Sequence, residues 1–245
     1  MKTKIIFLFL CFLVSLSAFC QKGETYVVVV GVSNYKTLND LNLPEKDAKA
    51  ISDLYKTHTK NVILITGKYA TKTRVLKSLK DQFGRAKEND MVVFSFSGHG
   101  YPGGVCPYDM TVKEESGISY DEIRAILKQS KAKQKIILAD ACHSGSIRTN
   151  KRDNHQSNND SNILLFLSSR GSETSLESPF MRNGFFTTYL LRGLRGGADT
   201  DLNKKITAKE LFKFVSEGVI NKSDGRQHPV MWGKFSDDYT IMDWN

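Results

Sequence analysis

Two short stretches carry the residue types needed for nucleophilic catalysis: Ser97-Gly98-His99-Gly100 and Asp140-Ala141-Cys142-His143-Ser144-Gly145. A thiol becomes an effective nucleophile when an imidazole takes or shares its proton, and the thiolate then attacks a carbonyl carbon. Each stretch closes an apolar run that reads as a β-strand, so Cys142 and His99 are delivered from different strands to one edge of a sheet. His143 is the nearer imidazole in sequence but the wrong one, because successive side chains on an extended chain point to opposite sides. By the same alternation Asp140 shares a side with Cys142, and Ser97 shares one with His99, which makes both candidate pocket walls. The glycines around His99 leave room for a substrate backbone. A Cys–His pair of this kind serves peptidases, amidases and acyl transferases alike.

The elements that must position these residues alternate in type. Residues 26–32 form a continuous β-branched run, the pattern of a buried strand, and 61–66, 91–97, 135–141 and 162–168 supply four more strands. Between them, 44–57 reads as a helix with Pro44 in its first turn and Ala48, Ile51, Leu54 and Tyr55 on one face. Thr71 caps a second helix with the stripe Val75, Leu76, Leu79 and Phe83. Ser119 and Glu122 form a capping box for a third, and 185–194 and 208–219 read as helices. Repeated strand–helix alternation, with strands apolar on both faces, predicts an α/β fold: a mostly parallel sheet covered by helices on both sides. In such folds chemistry gathers beyond the carboxyl ends of the strands.

With these motifs in hand, the chain resembles the caspase-like cysteine peptidases, and within them the metacaspase and bacterial caspase-homologue branch. The resemblance rests on the two motifs above, on Gly31 at the end of the first strand, on Leu164-Leu165-Phe166-Leu167-Ser168-Ser169, on Gly184-Phe185-Phe186-Thr187 and on Leu191-Arg192-Gly193-Leu194-Arg195-Gly196. It implies a three-layer caspase-like fold. It also implies Cys142 as nucleophile, His99 as general base and then acid, and the backbone N–H groups of Cys142 and Gly100 as oxyanion hole. The branch has an acidic specificity pocket, whose carboxylates match Asp140 and Asp47. Two carboxylates want a cation, so cleavage is expected after Arg or Lys, in protein or peptide substrates. The alternatives are a caspase-fold binding module that no longer cleaves and another thiol acyl hydrolase; the retention of both His99 and Cys142 argues against the first.

The rest of the chain sets the context. Residues 1–20 have the layout of a secretory signal peptide: Lys2 and Lys4, an apolar run over 5–14, then smaller and more polar residues to Cys20. The run is shorter than the roughly 20 residues a membrane span needs. The expected mature product, residues 21–245, is then one domain, secreted or periplasmic. Lipid anchoring at Cys20 is disfavoured by the bulky Phe19 before it. Of four cysteines only Cys106 and Cys142 remain, no disulfide framework, and Cys106 reads as a loop thiol. The formal net charge of +9 is scattered, without the aromatic–basic stripe of a nucleic-acid platform. Residues 146–161 are nearly devoid of apolar side chains and divide a larger part, 21–145, from a smaller part, 162–245. They carry Arg148, Lys151 and Arg152, which an acidic pocket would accept, so this loop is a candidate processing site. Asp199, Asp201, Asn203 and Glu210 follow the ligand spacing of a calcium loop, although Lys204 stands where the turn glycine belongs. A polar turn leading into a helix capped by Thr207 and Glu210 is the favoured reading of that segment. Calcium is thus a candidate activator, and no cofactor is required for the chemistry.

Overall fold

A computed structural model describes residues 23–111, 113–141, 162–170, 183–233, 235–236 and 239–245. The expected signal peptide, Cys142, His143 and the proposed processing residues Arg148, Lys151 and Arg152 lie outside the described residues.

The sheet is built from β1 (Thr25–Gly31), β2 (Val62–Thr66), β3 (Met91–Gly98), β7 (Gln134–Ala141), β8 (Ile163–Leu167) and β10 (Val230–Trp232), in the order β10-β8-β7-β3-β1-β2. The first five are parallel to their neighbours, and β10 runs antiparallel along β8. Alternation explains why these strands read as unbroken apolar runs. Val28 and Val30 pack into one layer and Val27 and Val29 into the other, and all four are fully buried.

On one face lie α2 (Lys72–Phe83) and α3 (Tyr120–Gln129), which contribute Val75, Leu79, Phe83, Ile123 and Leu127 to the core. On the other lie α1 (Pro44–Lys56), α4 (Phe185–Arg192) and α5 (Ala208–Lys222), with Ile51, Leu54, Phe186, Leu190, Leu211 and Val215. This is the expected three-layer α/β arrangement. The caps behave as read: Thr71 accepts from the Arg74 N–H, and Ser119 with Glu122 and Thr207 with Glu210 form full capping boxes.

Several elements have no counterpart in the sequence reading. A small meander, β4 (Gly100–Tyr101), β5 (Gly104–Val105) and β6 (Ile118–Ser119), folds over the end of β3. An antiparallel pair, β9 (Lys205–Thr207) and β11 (Thr240–Asp243), brings the two ends of the α5–β10 segment together. The expected helix 185–194 ends at Arg192 and passes into a wider turn, Gly193–Gly197, around Gly196 at φ 107°. Cys106 lies in the loop after β5, as read, but its thiol is buried. It is 3% exposed and belongs to the α2–α3 core layer together with Ile118 and Tyr120.

The topology also fixes where a site can form. From β1 the chain moves outward to β2, then returns across β1 to β3 and onward to β7, so the strand order reverses at β1 and β3. Loops leaving adjacent strands in opposite directions open a crevice at such a switch point. The loop after β1 and the loop after β3 flank it here.

Candidate active site

His99 sits one residue beyond β3, on the crevice, and is half-buried. Its backbone does not continue the strand. Gly98 has φ 154°, and a Cβ there would lie 2.5 Å from the Tyr35 hydroxyl and 3.0 Å from the Phe96 ring, so only glycine fits. The room left by Gly98 is therefore taken by Tyr35 rather than kept open for a substrate backbone. The His99 N–H donates to Tyr35 Oη at 2.7 Å, and the two rings lie 4.9 Å apart at 47°. On the other side, Cys106 N donates to the His99 carbonyl at 2.9 Å.

The His99 ring is held by a main-chain oxygen. Nε2 lies 2.8 Å from the carbonyl of Asn39, in the loop between β1 and α1. A carbonyl only accepts, so Nε2 carries the hydrogen and, in the neutral ring, Nδ1 is the nitrogen with the lone pair. A side-chain inventory of the sequence does not reveal this partner, since any residue type supplies a carbonyl.

The strand register brings the two motifs side by side. Ser97 pairs with Asp140 and Gly98 with Ala141, on β3 and β7. Cys142 is the next residue after Ala141. Gly100 opens β4 and pairs with Val105.

The acidic candidates converge. Asp47, on the first turn of α1, is 3% exposed. Its Oδ1 accepts from Asn183 Nδ2 at 2.7 Å and from Gly184 N at 3.2 Å, and its Oδ2 accepts from Ser97 Oγ at 3.4 Å. Asp140 is half-buried, and its Oδ2 accepts from Thr187 Oγ1 at 2.8 Å and Thr187 N at 3.3 Å. Oδ2 of Asp140 and Oδ2 of Asp47 lie 3.1 and 3.3 Å from the point a Cβ on Gly184 would occupy, so both carboxylates border one small region. Asp47, Ser97, Asp140 and Thr187 line a gap of about 10 Å³ with Leu138 and Phe186, enough for about one water. Like charges this close repel. The amides of Gly184 and Thr187 at the start of α4 offset the repulsion, because a helix N-terminus favours negative charge. Asn183 and Thr187 were not singled out as site residues in the sequence. Thr187 closes a stretch quoted for the family resemblance, but neither residue type announces a role by itself.

The calcium candidate assembles only in part. Asp199, Asp201 and Glu210 each bring an oxygen within 4.8 Å of the others. Those oxygens serve the loop itself. Asp199 accepts from the Asn203 and Lys204 N–H groups, Asp201 from the Asn203 N–H and amide, and Glu210 from Thr200 and Thr207. Burial alone would raise the Glu210 carboxyl, but hydrogen bonds from Thr207 and Thr200 outweigh it and leave the group below the usual carboxylate range. Lys204 adopts φ 66°, so the residue in the glycine position takes the strained conformation that glycine normally supplies. The donor set fits a hard cation only if Glu210 releases its cap, and the favoured reading of a polar turn before a capped helix describes this segment.

A family model described as a caspase domain matches residues 24–240. Among solved structures, caspase-1 from Spodoptera frugiperda superposes with a TM-score of 0.67 at 14% identity, covering 91% of each chain. A protein from Geobacter sulfurreducens superposes with a TM-score of 0.64 at 18% identity, covering 88% of this chain and 95% of that one. At such identities the structures speak for the fold alone. No curated protein matches the sequence.

Proposed function

Because the chain belongs to the caspase-domain family, a family of cysteine peptidases, we propose that it is an endopeptidase that uses Cys142 and His99 and cuts after Arg or Lys. The observation that carries this reading is the meeting of Asp47 and Asp140 on one small region, beside the strand that runs into Cys142. Two carboxylates that border one region favour a cationic side chain and disfavour an acidic one.

In this mechanism Nδ1 of His99 takes the thiol proton of Cys142 while Nε2 keeps its hydrogen on the Asn39 carbonyl. The thiolate attacks the scissile carbonyl, whose oxygen is stabilised by the N–H groups of Cys142 and Gly100. His99 returns the proton to the leaving amine. Water then attacks the thioester with His99 again as base, releasing the acid and restoring the thiol. Ser97 holds Asp47 from the sheet side, and Asp140 receives the substrate cation. No metal takes part in any step.

In the same reading residues 1–20 direct the protein to a secreted or periplasmic location. Arg148, Lys151 and Arg152 are processing positions for the enzyme's own pocket. Sequencing new amino termini from wild type and Cys142→Ala checks the processing: cuts after these residues in wild type alone support it, and identical cutting in both refutes it.

The test of the catalytic pair is turnover of arginyl reporter peptides by Cys142→Ala, His99→Ala and His143→Ala. The first two are expected to lose turnover and the third to keep it. A fold retained for binding only would leave wild type inactive on every peptide. Chemical loss in His143→Ala with full activity in His99→Ala would reverse the choice of base.

A further inference from the structure

The loop between β1 and α1 grips His99 at two points, and only one of them is a main-chain atom. Asn39 offers its carbonyl to Nε2 at 2.8 Å. Tyr35 offers its hydroxyl oxygen to the His99 N–H at 2.7 Å and sets its ring 4.9 Å from the imidazole. Tyr35 is itself fixed. It is 9% exposed, its N–H donates to Asp40 Oδ1 at 3.1 Å, and the loop is pinned behind it by Leu41 N donating to the Ser33 carbonyl at 2.8 Å. The phenol reaches the His99 N–H only because residue 98 has no side chain: a Cβ would stand 2.5 Å from Tyr35 Oη. Gly98 and Tyr35 are thus two halves of one fitting.

We infer that Tyr35 is a positioning residue for catalysis, one that holds His99 in register with the nucleophile by fixing its backbone N–H and packing one face of its ring. The inference rests on the proposed role of His99 and goes beyond it. A ring hydrogen-bonded only through Nε2 can still pivot about that bond, which would swing Nδ1 away from its target. The N–H anchor at the backbone and the phenol beside the ring remove that freedom, and displacements of about 1 Å at a reacting group cost on the order of 100-fold in rate. A side chain present only to fill the core would need the ring of Tyr35 and not its oxygen.

The test separates these roles. Tyr35→Phe keeps the ring and deletes the acceptor. Two readouts are taken on the full chain: kcat and KM for an arginyl reporter peptide, and the pH dependence of Cys142 alkylation by iodoacetamide, with His99→Ala measured beside it. A positioning role lowers kcat about 10- to 100-fold with KM changed less than about twofold, and moves the alkylation profile toward higher pH, because a misplaced imidazole shares the thiol proton less well. Wild-type kcat and an unmoved profile in Tyr35→Phe overturn the inference, as does a loss that only follows a lower melting temperature. Should Tyr35→Phe fail to fold, Asp40→Ala, which deletes the acceptor of the Tyr35 N–H without replacing any atom of His99, must show the same split in a weaker form or the inference falls. If the profile is insensitive to His99→Ala, the catalytic pair itself is wrong; if it responds to His99→Ala and not to Tyr35→Phe, only the role of Tyr35 is wrong.

Discussion

Replacing Asp47 by Asn removes one charge from the proposed specificity pocket while nearly keeping its shape. An amide oxygen in place of Oδ1 still accepts from Asn183 and Gly184, and the amide nitrogen replaces the oxygen that now faces Ser97. For a substrate cation held beside these two carboxylates, the change takes away one of two charge-assisted partners, each worth about 1.5–3 kcal/mol. At 1.36 kcal/mol per tenfold, kcat/KM for arginyl peptides is expected to fall about 10- to 160-fold. The fold has little reason to respond: relief of repulsion from Asp140 opposes the weaker hydrogen bonds that a neutral group accepts. The assay is kcat/KM on matched peptides ending in Arg, Lys or Gln before the reporter, with a thermal melt of each variant as control. The loss should be large for Arg and Lys and small for Gln. Equal losses on all three peptides, or none on Arg, would refute the pocket as a charge-reading device.

Three further outcomes follow from the same geometry. Thr187→Val, at a site 3% exposed, deletes the hydroxyl donor to Asp140 and should lower arginyl turnover several-fold, while Thr187→Ser restores it; identical kinetics in both variants would mean that Thr187 does not orient Asp140. Glu210 titrates below the usual range in the folded chain, so its stabilisation is complete above the unfolded value of about 4.3 and is lost as pH falls through the lower folded value. Glu210→Gln should therefore melt below wild type at neutral pH, with the gap closing in acid; a gap that widens in acid would contradict the assignment. Millimolar calcium should shift the melting temperatures of wild type and Asp199→Asn equally, because the Asp199–Glu210 oxygens already serve the loop; a shift in wild type alone would make the loop a calcium site.

Much of the architecture was legible because it rests on long, strongly patterned runs. The five parallel strands and the faces of α1, α2 and α3 follow from apolar spacing, and the capping boxes follow from two residue types three positions apart. Elements built from two or three residues were not legible. The meander over β3 and the antiparallel edge strand β10 have too little chain for a period, and their places are set by what they pack against. The burial of Cys106 escaped the reading for the same reason, since its apolar neighbours come from distant segments. In the site, Asp47 and Asp140 were expected from the family resemblance and lie together. Asn39 was invisible because it acts through its main chain, and Tyr35 because its use depends on the absent side chain at Gly98.

The central claim, a Cys142 nucleophile beside a cation-reading pocket, is tested most directly by affinity labelling with peptidyl chloromethyl ketones that end in Arg or in Asp. Intact mass gives the stoichiometry and rate, and peptide mapping gives the site. Cys106 serves as an internal control, since its burial should keep it unlabelled. The account predicts one adduct per chain on Cys142, formed much faster with the arginyl reagent and lost in His99→Ala. Faster labelling by the aspartyl reagent, or an adduct anywhere but Cys142, would contradict it.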